Sequence, residues 1–155
     1  APHAPDQAAG DRPPMTWLVE RLVELRRHLD HLRSLRHRVP GREALERDLS
    51  LHNDVLFSLL TVCQLVIDIA GELSARRGDR FEDYAGAVRN LARDPRFPAE
   101  VVRELERLPG FRNILIHEYV ALDLQRAVEA LDELQAVERF LEIVRGLEGG
   151  ANPRP

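Results

Sequence analysis

A single apolar stripe constrains this chain more than any other feature. Leu18, Leu22, Leu25, Leu29 and Leu32 advance by four, three, four and three residues. That is the period of one face of an α-helix, and such a face has to be buried. No stretch alternates apolar and polar residues for long enough to read as a half-buried strand. At 155 residues the chain is the size of one domain, able to bury roughly 68–70% of its unfolded surface. The expected fold is all-α: an up-and-down bundle of about five helices around one core.

Turn residues divide the pattern. Thr16 is placed to cap the first helix, and Pro40-Gly41 to stop it. A second helix is expected over residues 43–75, with Leu45, Leu49, Leu56, Leu59, Cys63, Val66 and Ala70 on or near one face. Its middle is apolar nearly all round, which marks the central helix of the bundle. Arg76-Arg77-Gly78-Asp79 ends it, a short helix follows over 81–92, and Asp94-Pro95 breaks that one. Pro98 suits the first turn of a helix through Leu108. Pro109-Gly110 reads as a sharp break, after which the helical pattern resumes over 111–119. Asp123 is a good N-cap for a last helix through Val144. Residues 16–147 are expected as one helical domain, with 1–15 and 148–155 as flexible tails.

Composition narrows the setting. The net charge of −4, from 22 basic and 26 acidic residues, excludes a surface that is cationic throughout, yet leaves room for a local basic cleft. Every basic residue is arginine, read here as genomic composition bias. The single cysteine, Cys63, allows no internal disulfide and no cysteine-based zinc site, so a cytoplasmic setting is expected. The N-terminal stretch lacks the apolar core of a secretory leader. The apolar run over 55–67 is interrupted by Ser58, Thr61 and Gln64 and closed by Asp68. It is shorter than the ~20 residues of a membrane span, so a buried helix and no membrane partner are expected.

Chemistry concentrates in Gly110-Phe111-Arg112-Asn113-Ile114-Leu115-Ile116-His117-Glu118-Tyr119. Arginine offers a fixed charge and a planar donor fork that matches phosphate. Histidine is the side chain best poised to move a proton near neutral pH. Tyrosine offers a hydroxyl that can donate, accept or be modified. Arg112, four residues, His117, one residue, Tyr119 resembles the HEPN superfamily. More closely, the chain over 17–147 resembles HepT-type toxins of HEPN/MNT toxin–antitoxin pairs. Gly110-Phe111, the segment Gln64-Leu65-Val66-Ile67-Asp68-Ile69-Ala70 and the helix begun by Asp123 support the resemblance.

The resemblance implies a metal-independent endoribonuclease that needs no cofactor and acts as a homodimer, its two motifs meeting in one cleft. His117 would move the proton of a ribose 2′-hydroxyl. Arg112 would hold the scissile phosphate and stabilise its developing charge. Products would carry a 2′,3′-cyclic phosphate. Asn113 would orient the motif or hydrogen-bond the phosphate. The RNA substrate would be tRNA or mRNA. The partner would be an MNT-type nucleotidyltransferase antitoxin that transfers AMP to Tyr119 and so silences the cleft. The alternative is a non-catalytic HEPN-like module that binds nucleotide or a nucleotidyltransferase partner.

Helix geometry bears on the site directly. Arg112 and His117 are five residues apart, about 140° around an ideal helix. Either the helix is distorted or ends near His117, or a second subunit completes the site. Each residue also has a plainer reading. Arg112 could pair with Glu118 or Asp68, and His117 and Tyr119 could be core groups. Asp68 reads first as an ion-pair partner of Arg112 or another arginine, because burying a charge alone costs several kcal/mol. Its other reading is a polar, supporting group of the cleft. His28, His31 and His37 lack an evident ligand set for a metal. The basic run Arg21, Arg26, Arg27, Arg33, Arg36 and Arg38 reads mainly as a solvated face of ion pairs, part of which could steer RNA.

Overall fold

The computed structural model describes residues 14–118 and 120–149. They form eight α-helices and, among the described residues, no strand. These are α1 (Pro14–Leu35), α2 (Arg42–Arg47), α3 (Leu49–Arg76), α4 (Tyr84–Arg89), α5 (Ala99–Leu105), α6 (Leu108–His117), α7 (Leu124–Leu131) and α8 (Gln135–Gly149). The all-α bundle expected from the sequence is the fold observed. Its helices outnumber the expected five because two long segments are each broken once and the short segment after Leu105 is a helix of its own.

The leucine stripe of α1 does what its spacing demands. Leu18, Leu25, Leu29 and Leu32 are fully buried and Leu22 nearly so. Each such side chain contributes roughly 1.5–3 kcal/mol relative to an exposed one. They pack mainly on α3. The two helices run antiparallel, because His28 meets Ser58 while His31 meets Asp54. α3 is central as expected: α1, α2, α4, α6 and α7 all rest on it. Phe140 of α8, fully buried, packs against Phe97 and closes the far side of the core.

The helix ends depart from the sequence reading in instructive ways. α1 begins at Pro14, so Thr16 is a helical residue and not a cap. The segment 43–75 is interrupted at Asp48, whose backbone is extended (φ −122°, ψ 99°). Its carboxylate accepts from the Leu51 amide at 3.1 Å, so a cap was read as helix interior. Pro109-Gly110 is no break, since both lie in the first turn of α6. Proline fits there because that position needs no amide donor. Asp123 caps α7 as expected, accepting from the Gln125 amide at 3.0 Å. The helix begun by Asp123 does not itself continue to Val144. It breaks over 132–134, where Asp132 is held by Arg36, just past the end of α1, and α8 carries on from Gln135. Gly78, at φ +74°, supplies the left-handed turn that ends α3.

α3 is 28 residues long and, contrary to the sequence reading, is apolar and long enough to cross a bilayer by those measures alone. Ser58, Thr61 and Gln64 interrupt its apolar character only weakly. Half of its most apolar stretch is buried against other helices, as in the core helix of a bundle. Its outer stripe is Phe57, Thr61, Gln64 and Asp68, spaced four, three and four. These four side chains are at least partly exposed, and α6 lies beside them.

Candidate active site

The site forms where α6 crosses α3. α6 buries Phe111 and Leu115 into the bundle. That orientation leaves Arg112 half-buried and Asn113 exposed. The Arg112 guanidinium is held on two sides by neutral amides. Its Nε donates to Gln64 Oε1 at 3.0 Å, and Nη1 donates to Asn113 Oδ1 at 3.0 Å. Gln64 in turn donates from Nε2 to Asp68 Oδ1 at 2.8 Å, one helical turn further along α3. The guanidinium carbon lies 5.4 Å from the centre of the Tyr84 ring, within cation–π range.

This chain of contacts corrects the structural reading of Asp68. Among the described residues Arg112 has no carboxylate partner, neither Asp68 nor Glu118, and Asp68 is in no ion pair. The amide of Gln64 stands between the two charges and satisfies both. Asp68 therefore orients Gln64, and Gln64 orients Arg112. Neutral partners fix the fork without neutralising it, so its charge and remaining N–H groups stay available to an anion.

His117 is the last residue of α6 and is exposed. The helix is regular up to it and ends there, with Glu118 at φ −123°, ψ 24° as C-cap. Of the two ways to reconcile Arg112 with His117 inside one chain, the helix end is the one observed. Their side chains still leave α6 about 140° apart, with roughly 7.5 Å of rise between them. Tyr119 lies outside the described residues.

The other sequence candidates resolve into structure. His31 Nε2 sits 2.7 Å from Asp54, and His28 Nδ1 sits 3.1 Å from Ser58. Burial holds the His28 imidazole below the usual histidine pKa. Among the described residues no group of three potential ligands is placed to hold a metal ion. Along the basic run of α1, Arg26 and Arg33 pair with Glu138, Arg27 with Glu24, Arg36 with Asp132 and Arg38 with Asp48. Arg21 stacks on Trp17. Arg26, Arg33, Arg36 and Arg38 thus tie different elements together, while Arg21 and Arg27 make their contacts within α1. Burial pushes the Cys63 thiol up to about 12, so it packs and does not react.

Gln64 and Tyr84 were not singled out as site residues by sequence reasoning. Gln64 did leave a signal, as one of several polar residues sharing a single stripe of an otherwise apolar helix. Tyr84 left none, because the turn between α3 and α4 brings it to Arg112. A separate cavity of about 510 Å³ lies between α3 and α5–α8, over Cys63, Leu105 and Phe111. Neither Arg112 nor His117 lines it.

A helical bundle with an Arg-x4-His pair on a short helix against its central helix is the arrangement that the resemblance to the HEPN superfamily implied. Comparison with known proteins agrees. The family described as "Ribonuclease HepT-like" matches residues 25–144. The chain belongs to that HepT-like ribonuclease family. A provisionally named RNase of Archaeoglobus fulgidus is 34% identical over 86 residues, covering 54% of this chain and 65% of that one. The chain thus spans slightly under two thirds of that relative. The mRNA nuclease HepT of Shewanella oneidensis is 25% identical over 107 residues, 64% of this chain and 77% of that one. A tri-AMPylated HEPN toxin of Shewanella oneidensis, solved in complex with an MNT antitoxin, shares the fold with a TM-score of 0.72. It is 19% identical over 83% of this chain and 96% of that one.

Proposed function

We propose that this chain is the toxin of a HEPN/MNT-type pair: a metal-independent endoribonuclease that works as a homodimer in the cytoplasm. The observation that carries the reading is Arg112. Its guanidinium is fixed by Gln64 and Asn113, both neutral, at the outer surface of a helix that ends at His117. Arg112 binds the scissile phosphate and stabilises the charge that builds on it. His117 takes the proton of the ribose 2′-hydroxyl. The 2′-oxygen then bonds to phosphorus as the bond to the 5′-oxygen breaks. The leaving oxygen takes up a proton, giving a 2′,3′-cyclic phosphate and a 5′-hydroxyl. Asn113 and Asp68 act by positioning Arg112, Asp68 through Gln64.

The homodimer is supported by two features. Five residues set Arg112 and His117 about 140° apart around α6, and a second copy would bring a histidine and an arginine to one phosphate. Phe57, 64% exposed, lies on the same α3 stripe as Gln64 and offers apolar area next to the site. The partner proposed for regulation is an MNT-type nucleotidyltransferase that adds AMP to Tyr119. The added phosphates would occupy the anion position that Arg112 serves.

The test is cleavage of tRNA and mRNA in EDTA by demodified protein, beside Arg112→Ala and His117→Ala. The intact mass reports whether Tyr119 carries AMP. Cleavage by the wild type alone supports the reading. Equal cleavage by all three, or none by an unmodified folded dimer, overturns it in favour of a non-catalytic binding module.

A further inference from the structure

Two exposed aromatic side chains have no part in the chemistry above: Tyr84, against Arg112, and Phe81, against Gly71 on the outer face of α3. Phe81 is 41% exposed and Tyr84 is 43% exposed. Phe81 lies in the α3–α4 connection and Tyr84 is the first residue of α4. Asp83 caps α4 by accepting from the Gly86 amide at 2.7 Å, which places Tyr84 at the first helical position. The Phe81 ring edge reaches α3 at Gly71, where a Cβ would lie 3.5 Å from it. The Phe81 Cβ faces Gly86, where a Cβ would lie at 3.3 Å. Gly71 continues the outer stripe of α3 three residues beyond Asp68. Phe81 is thus packed between Gly71 and Gly86, one turn along α3 from Asp68. Tyr84 meets the Arg112 guanidinium at 5.4 Å.

Exposed aromatics at a phosphate-binding cation have a specific use. A nucleic acid strand presents a phosphate and a flat base on each nucleotide, and every base has a face that can stack. Among the large apolar side chains left in solvent, Tyr84 adjoins a guanidinium held only by neutral groups, and Phe81 lies three residues before it, against Gly71 and Gly86. We propose that Tyr84 and Phe81 form a stacking platform for an unpaired nucleobase of the RNA whose phosphate sits on Arg112. The platform favours single-stranded over duplex RNA, because a paired base cannot leave its stack without cost. This rests on the ribonuclease reading and adds the class of substrate.

Binding separates the two ideas. The probes are a fluorescent single-stranded decamer of mixed sequence, 2′-O-methylated so that it cannot be cut, and the same backbone with abasic residues. They are titrated into wild type, Tyr84→Ala, Tyr84→Phe and Phe81→Ala. Tyr84→Ala is expected to lose roughly 5- to 150-fold in affinity for the base-bearing decamer, the alanine cost of one base–aromatic stack. It should stay within about two-fold on the abasic one, and Tyr84→Phe should bind both like wild type. Equal losses on both probes would overturn the proposal, since Tyr84 would then only position Arg112. A Tyr84→Phe loss as large as that of Tyr84→Ala would overturn it in favour of the hydroxyl. Light scattering is run alongside, and dimer dissociation in Tyr84→Ala would overturn it in favour of a subunit contact. Wild type that cuts RNA but does not distinguish the probes refutes the platform alone. Wild type that neither cuts nor binds refutes the ribonuclease reading as well.

Discussion

Gln64→Glu is the change that most sharply separates an oriented, uncompensated Arg112 from a merely structural one. Gln64 Oε1 accepts from Arg112 Nε at 3.0 Å, and glutamate would put a charged oxygen in the same place. Two unit charges about 4 Å apart interact by roughly 4 kcal/mol at an effective dielectric near 20. Partial exposure and the like charge of Asp68, one turn on, reduce that figure. About 1.5–3 kcal/mol, the range for a hydrogen bond to a charged group, is left to compete with an incoming phosphate. The expected cost is roughly 10- to 150-fold in kcat/KM for RNA cleavage in EDTA. Thermal stability should move by no more than about 2 °C, because the shape is kept and the new pair offsets the new repulsion. Cleavage kinetics and a melting curve on one preparation decide it. Wild-type kcat/KM in Gln64→Glu would refute the idea that Arg112 meets the phosphate with its charge free.

Three further predictions follow from particular contacts. Asp94 is buried and accepts from Arg96 Nε and Nη2 at 3.0 and 2.9 Å, with Arg77 at 3.7 Å. The Arg96 hydrogen bonds hold its carboxyl below the usual range, so its stability contribution is full above the unfolded pKa of about 3.9 and fades as pH falls through the lower folded value. Asp94→Asn should therefore cost about 1–3 kcal/mol in urea unfolding at pH 7, with the gap to wild type closing in acid. Cys63, buried with its thiol pushed up to about 12, should resist alkylation at pH 8 until the protein unfolds, which mass spectrometry reads directly. Mixing Arg112→Ala with His117→Ala protomers should restore part of the cleavage that each lacks alone, since one shared cleft then holds an intact pair. A mixture as inactive as its components would count against the shared site.

Periodicity revealed the bundle and its central helix because burial acts on whole faces. The leucines of α1 and the nearly all-apolar middle of α3 therefore read correctly. Helix ends are decided by single hydrogen bonds, and those were harder to read. Asp48 and Asp132 looked like ordinary helix residues. One turned out to cap the Leu51 amide, and the other is drawn to Arg36, 96 positions away. Proline followed by glycine suggested a break at 109–110, although proline is equally at home in a first turn. At the site, Arg112, Asn113 and Asp68 were legible as polar residues in apolar surroundings, and they do lie in one hydrogen-bonded chain. Gln64, which joins them, was passed over. Tyr84 reaches Arg112 only through the fold of the α3–α4 connection, and no local pattern marks it.

The central claim is that Arg112 and His117 cut RNA by moving a proton and holding a phosphate, with no metal in the step. Mass spectrometry of the RNA ends made in EDTA tests it most directly. Fragments ending in a 2′,3′-cyclic phosphate with wild type, and none with His117→Ala, are the predicted result. Cleavage that EDTA abolishes, or the same cyclic ends produced by His117→Ala, would contradict it.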